Sequence, residues 1–378
     1  MTAAHIIAGR RTAVAVRNGA FAKIEAADLG AAVIDRALED AGLRGDQVDE
    51  VILGNALYGG GNPARVAALA AGLPESVGAM TIDTQCCGGL DAIALAAARV
   101  RSGSADIVIA GGLESYSRAP IRQRRPTHRG QEPESYDRPP FTPWVERDPD
   151  MIDSVADLAA RLNISRMCQE AYAVESHRRA TQDAAIEREV VVVDGLARDE
   201  FTRPLSSAVC RRLTPLSGGD DYGVTAATTA VEADAAAVVV VASERVLKSV
   251  AANSVLIRGE VSRGDDPTCP ALAPIAAVRD LLARLELSPG DIARTEMMEA
   301  FAVQALACIE GIGLAPDGVN RRGGALAWGH PIGASGAILA VRLFHDLQRG
   351  TSGELGLAAI AAAGGLGSAM IFEAVGTL

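Results

Sequence analysis

Cys86-Cys87-Gly88-Gly89-Leu90 opens a stretch that carries a helix pattern to Arg101-Ser102-Gly103 and then reads Ile107-Val108-Ile109-Ala110-Gly111-Gly112. The four apolar residues from Ile107 are too few for a buried helix and apolar on both faces, which is the signature of a strand covered on both sides. Two further runs have the same character, Ala237-Val238-Val239-Val240-Val241 and Leu357-Ala358-Ala359-Ile360. Helical periodicity fills the space between them at Leu29 to Ala41, Leu90 to Arg101, Pro274 to Leu285 and Gly336 to Arg349. Strands and helices alternate, which predicts an α/β protein. The opening stretch also has an echo: Gly329-His330-Pro331, a helix from Gly336 to Arg349-Gly350, the strand from Leu357, then Ala363-Gly364-Gly365. The same order of turn, helix, strand and double glycine predicts two related halves packed as a pseudo-dimer.

Composition sets the outer limits. The chain has 378 residues, 49% hydrophobic and 22% charged, the balance of a globular protein and enough length for two or three compact units. With 36 Lys and Arg against 47 Asp and Glu the net charge is −11, which argues against nucleic acid or an anionic membrane as the main partner. The first twenty residues interleave small apolar side chains with Arg10, Arg11 and Arg17 and read as the start of a fold. No stretch approaches the roughly 18 apolar residues of a spanning helix, so the expected location is the cytoplasm. The six cysteines show neither zinc-site spacing nor a disulfide framework and read as reduced thiols. No motif calls for a metal or a prosthetic group.

Between the halves the composition changes. Seven of the 17 prolines fall between Pro120 and Pro149, together with Arg122, Arg124, Arg125, His128 and Arg129. A helical stretch from Asp153 to Ile186 follows. The predicted organisation is an N-terminal half (1–117 plus 232–252), an inserted loop or lid domain (118–231) and a C-terminal half (253–378). The arginine cluster suits the phosphates of a thioester carrier or the acidic surface of a carrier protein, and equally a solvated loop.

Two residues stand where chemistry is feasible. Cys86 follows a predicted strand from Met80 to Thr84 and precedes a helix starting near Gly88, whose N–H groups favour thiolate and are expected to lower its pKa. His330 occupies the equivalent turn of the second half, where an imidazole would deprotonate a thiol and later protonate a leaving thiolate.

The residues around both positions resemble the thiolase superfamily over nearly the whole chain. Cys86-Cys87-Gly88-Gly89-Leu90-Asp91-Ala92 is similar to that family's Cys-Gly-Ser-Gly-Leu-x-Ala, and Gly111-Gly112-Leu113-Glu114-Ser115-Tyr116-Ser117 to its Gly-Gly-Met-Glu-Ser-Met-Ser. Asn320-Arg321-Arg322-Gly323-Gly324-Ala325 through Gly329-His330-Pro331-Ile332-Gly333-Ala334-Ser335-Gly336 is similar to its histidine motif. The resemblance implies a thiolase-like fold of two αβαβα halves with an inserted loop domain, and ping-pong acyl transfer through an acyl-cysteine. Cys86 would be the nucleophile, His330 its base, and the backbone N–H groups of Cys86 and Ala363 an oxyanion hole.

The departures carry as much meaning. Met298-Glu299-Ala300-Phe301 stands for the family's Asn-Glu-Ala-Phe, so the amide that holds a water is replaced by a thioether. Ala361-Ala362-Ala363 stands for Cys-x-Gly, so no second cysteine moves the α-carbon proton. Asp150-Met151-Ile152 stands for His-Met-Gly on the substrate side, and no cofactor-binding residue is assigned. Met298, Phe301, Ala361 and Met151 become the candidate pocket residues, and coenzyme A enters only as a substrate moiety, not a cofactor. Three readings follow: an acyltransferase whose acceptor needs no cysteine base; an ordinary acetyl-CoA acetyltransferase or 3-ketoacyl-CoA thiolase with a relocated base, His330 or Cys87; or a catalytically reduced scaffold subunit. The expected partners are an acyl thioester, an acyl carrier protein or partner subunit, and a second copy in a homodimer or dimer of dimers.

Overall fold

The computed structural model describes residues 2–250 and 254–375, and the expected boundary between halves at 252/253 lies outside them. The N-terminal half holds β1 (Ala4–Thr12), α1 (Ala26–Ala41), β2 (Glu50–Gly54), α2 (Pro63–Ala70), β3 (Gly78–Ile82), α3 (Gly88–Arg101), β4 (Ile107–Glu114) and β5 (Ala233–Ser243). Inserted ahead of β5 are α4 (Met151–Arg161) and α5 (Arg166–Thr181). The C-terminal half holds β6 (Val255–Gly264), α6 (Ala273–Arg284), β7 (Ile292–Met297), α7 (Ala302–Ile312), α8 (Ile332–Leu347), β8 (Leu355–Ala362) and β9 (Leu366–Ala374).

The predicted echo is visible in the sheet. The first half runs β3-β2-β4-β5-β1 and the second runs β7-β8-β9-β6, joined where β1 meets β6. Pairing matches position for position: β2 and β4 are parallel as are β7 and β8, whereas β5 and β9 are antiparallel to both neighbours. The place of β3 is taken in the second half by a single parallel bridge between Thr295 and Val319. Among the described residues that outer strand has shrunk to one contact.

Five layers follow from where apolar side chains go. Helices α1 and α2 cover one face of the first half through Leu29, Val33, Ile34 and Ala67. Helices α6 and α7 cover the second half through Val278, Leu281, Cys308 and Ile309. Between the two halves α3 and α8 share one core with Leu90, Ile93, Val239, Ile338, Val341, Ile360 and Phe372. Small residues make that core thin and close-packed, as the low aromatic content requires. The run from Asp153 to Ile186, read as one helix, is two. Leu162 through Ser165 break it: Asn163 adopts φ +55°, and the Ser165 hydroxyl accepts from the N–H of Cys168 to start α5 afresh. The insertion is also less separate than composition suggests, since Val190–Val191 pairs with the end of β1.

Candidate active site

Cys86 sits in a short 3₁₀ turn, Gln85–Cys87, between β3 and α3. Gln85 takes φ +54°, a left-handed conformation costly for a side chain other than glycine or asparagine, and this sharp turn holds the cysteine at the end of the strand. His330 follows Gly329, whose φ of +111° permits the matching turn ahead of α8, and its own N–H donates to Val231 O at 2.7 Å. The two turns come together because α3 and α8 cross on glycines. A Cβ on Gly89 would stand 2.7 Å from the backbone N of Ala337, and one on Gly336 would stand 2.6 Å from the backbone N of Leu90. No methyl fits at either place.

The result is a direct pair. Cys86 Sγ lies 3.0 Å from His330 Nε2, and His330 Nδ1 lies 2.7 Å from Ser335 Oγ. With Nδ1–H donating to the serine, Nε2 presents its lone pair to the thiol. Both side chains are half-buried. Burial pushes the Cys86 thiol up to about 12, with Glu114 and Asp83 adding to it, against a smaller opposing pull from its own backbone N–H. The expectation of a lowered pKa at the helix start is thus reversed: loss of water around the sulfur outweighs the backbone field. Burial also takes His330 down to about 4. The resting pair is thiol and neutral imidazole, an arrangement in which the sulfur can give up its proton to Nε2.

Buried carboxylates fix the two turns. Glu114, at the end of β4, accepts from Ala56 N (2.9 Å), Asn55 Nδ2 (2.9 Å) and Gly333 N (3.0 Å). It therefore ties the first half to the first turn of α8 beside His330, where a helix N-terminus favours an acid. Burial raises Glu114 to about 7, with the N–H groups of Ala56, Gly333 and Leu57 holding it back. Glu299 does the same on the other side, accepting from Tyr172 Oη (3.0 Å), Ser176 Oγ (2.8 Å), Asn320 Nδ2 (2.6 Å) and Leu326 N (3.2 Å). It anchors α5 and the loop that leads to His330. Ser335, Glu114 and Glu299 stood inside quoted motifs without an assigned role; nothing in their spacing announces that Glu114 reaches the second half, that Glu299 reaches the insertion or that Ser335 bonds His330.

The four pocket candidates separate into different surroundings. Met298 is buried in the core against which Cys86 packs, and its N–H donates to Ala359 O at 3.0 Å. Ala361 is half-buried on β8 opposite Gly367. Met151 and Phe301 instead meet in another cluster, with Val155, Leu158, Val224 and Val303, where the insertion packs on the second half. Ala363 lies one residue past β8, in the turn to β9. Cys87 is buried, its Sγ 3.7 Å from Ile360 O, and burial holds its thiol well above the usual range. Of the insertion's arginines, Arg122 is engaged with Ala56 O and Asp137 O, and Arg124 stacks on Tyr136.

Comparison with known proteins agrees with this architecture. The family model for the thiolase N-terminal domain matches residues 4–245, and that for the C-terminal domain residues 252–374. YhfS of Bacillus subtilis (strain 168), provisionally named an acetyl-CoA C-acetyltransferase, is 39% identical over 97% of this chain and 98% of its own. An acetyl-CoA acetyltransferase of Cupriavidus necator is 38% identical over 99% of this chain and 100% of its own. The crystal structure of Acat5 thiolase from Ascaris suum, in complex with coenzyme A, superposes with a TM-score of 0.90 at 33% identity, covering 99% of this chain and 100% of that one. Two domain models in tandem, full-length relatives and one shared fold make this chain a member of the thiolase family.

Proposed function

We propose that the chain is a thiolase-type acyltransferase that takes an acyl group from a coenzyme A or carrier-protein thioester onto Cys86 and passes it to an acceptor needing no cysteine base. The observation that supports this is the 3.0 Å approach of Cys86 Sγ to His330 Nε2. Attack by sulfur on the thioester carbonyl is accompanied by transfer of the thiol proton to Nε2. The tetrahedral oxygen lies against the N–H groups of Cys86 and Ala363, the first of which sits within a 3₁₀ turn and the second of which follows a strand end. Collapse expels the carrier thiolate, which recovers the proton from His330. The acceptor then attacks acyl-Cys86 and expels its thiolate; a ring-carbon or heteroatom acceptor passes its proton through the same imidazole to the sulfur, whereas a malonyl-type acceptor releases carbon dioxide and the sulfur is reprotonated from water.

The acceptor follows from Ala361 and Met298. Read onto the family's motif, they remove one acid/base and one water-holding amide, so an acceptor that carries its own driving force suits the site: a decarboxylating malonyl-type thioester, an activated ring carbon or a heteroatom nucleophile. Cys87 does not replace the lost base, because it is buried against Ile360 O with a raised pKa. The names of the relatives favour an acetyl donor.

A homodimer completes the proposal. Strand β3 is a sheet edge with half-exposed residues, and α2 beside it exposes Val66 and Leu69. An edge of this kind is normally covered. Light scattering is expected to give twice the chain mass, and a Val66→Glu, Leu69→Glu variant the single mass; a monomeric parent removes this element.

The test of the whole is intact-protein mass spectrometry after incubation with acyl thioesters. The parent is expected to gain one acyl mass that Cys86→Ala lacks. A parent that takes no acyl group from any coenzyme A or carrier-protein donor would overturn the reading and leave a scaffold role.

A further inference from the structure

Away from Cys86 and His330 a cleft of about 730 Å³ opens where α5, the 3₁₀ turn Ile186–Arg188, the Asn320 loop and the end of α8 converge. Six arginines line it: Arg178, Arg179, Arg188, Arg321, Arg322 and Arg349. Three carboxylates share the lining, Glu175, Asp183 and Asp317, in a chain whose overall charge is −11. Positive charge is thus gathered here against the sign of the molecule.

The partners of these groups divide them in two. Glu175 is taken up by Arg178 and Arg179, the latter also donating to Val319 O at 2.7 Å. Asp183 is taken up by Arg322 at 3.0 Å, and Arg322 also meets Asp346 and Glu189. Beneath them Arg342 is paired with Glu296 at 2.7 Å, and Arg11 with Glu189 and Asp199, all buried. This floor is a fixed ionic lattice. Arg188, Arg321 and Arg349 are different: they are exposed, and among the described residues their guanidinium groups meet no carboxylate, carbonyl or aromatic ring. Asp317 on the rim is the one lining carboxylate outside the pairs.

We propose that this cleft binds a compact polyanion carrying two or more linked phosphates. Three free guanidinium groups above a rigid floor of paired charges provide forked donors of the geometry phosphate oxygens accept. Asp317 is the one lining carboxylate left unpaired beside them among the described residues, and a bound anion relieves their mutual repulsion. The volume falls in the range of small-ligand pockets and exceeds what one phosphate fills. Since the floor is already ordered by buried pairs, little ordering cost remains for the ligand to offset. Arg321 and Arg322 follow Asn320, which is bonded to Glu299, so an occupied cleft bears on the loop that leads to His330. The site stands independently of the acyl-transfer reading.

The experiment is isothermal titration of the full chain with tripolyphosphate, pyrophosphate, orthophosphate and ATP, at low and at physiological ionic strength. Saturable one-to-one binding is expected, tighter for tripolyphosphate than for orthophosphate and weaker with added salt. Arg321→Glu and Arg349→Glu are each expected to weaken it about tenfold or more, which is the worth of one charge-assisted contact. The melting temperature without ligand should be unchanged, because neither guanidinium has a partner among the described residues. ATP binding at least as tightly as tripolyphosphate assigns the site to a nucleotide; the reverse order assigns it to an inorganic chain. No saturable binding at about 10 mM, equal affinity for orthophosphate, or unaltered affinity in both variants would each overturn the proposal.

Discussion

The two halves share a strand order and a pairing pattern, yet they have divided the chemistry. The turn ahead of α3 carries Cys86, and the equivalent turn ahead of α8 carries His330. A duplicated scaffold places two equivalent turns face to face, so a thiol and an imidazole meet although 244 residues separate them in sequence. The halves differ in their outer parts too: β3 is a full edge strand in the first, and a single Thr295–Val319 bridge in the second. Divergence has been tolerated at the rim and excluded at the crossing of α3 and α8, where glycines leave no room.

Removing the base from one half breaks the division most sharply. His330→Ala should slow acyl loading of Cys86 by about 10²- to 10⁴-fold, the usual contribution of a positioned acid/base. The pH profile gives the sign. With His330 near 4 and Cys86 near 12, the parent pair remains imidazole and thiol across neutral pH, so single-turnover loading should be flat from about pH 6 to 9 and fall only in acid, as the imidazole is protonated. In His330→Ala the thiolate must form unaided, and loading should rise about tenfold per pH unit. A flat profile in that variant would mean that another group takes the proton.

Ala361→Cys sharpens the same comparison from the acceptor side. If the missing cysteine is what limits carbon–carbon bond chemistry here, the variant should raise thiolysis of a 3-ketoacyl thioester by about 10²-fold, with loading of Cys86 unchanged. Unchanged thiolysis would place the limitation at Met298. Gly336→Ala tests that crossing itself. Its Cβ would press on the backbone of Leu90, so a loss of about 1 to 3 kcal/mol is expected in denaturant unfolding, with slower loading as the turns separate.

How much of this was legible depended on whether the signal was local. The runs at Ile107, Ala237 and Leu357 fall inside strands of 8, 11 and 8 residues, because a strand buried on both faces needs apolar side chains at every position. Their ends were hidden: Gly111-Gly112 and Ala235-Ala236 carry little side chain, and only the neighbouring strands make them part of the sheet. The break in the long helical stretch was hidden as well, because Val155, Leu158 and Leu162 keep a helical spacing right up to it while Asn163 turns left-handed. Cys86 and His330 could be paired from the echo alone. The direction of the Cys86 pKa could not, since a helix start is written in the sequence and the burial of the sulfur is not. Glu114 and Glu299 were likewise unreadable, because their donors come from distant segments.

Ser335 is the smallest of these effects and separates orientation from basicity. It sits five residues after His330, in the first turns of α8, and bonds Nδ1 at 2.7 Å. If the serine only fills space, Ser335→Ala should leave loading untouched. If it holds the tautomer that exposes the Nε2 lone pair, the variant loses one neutral hydrogen bond, worth about 0.5 to 1.5 kcal/mol, or roughly 2- to 12-fold in loading. The loss should appear equally at every pH between 6 and 9, because the hydroxyl does not titrate there. Ser335→Thr, which keeps the hydroxyl, should recover most of it. A pH-dependent loss would instead show that Ser335 acts on the pKa of His330, and the first half's thiol would then be controlled from the second by proton affinity as well as by position.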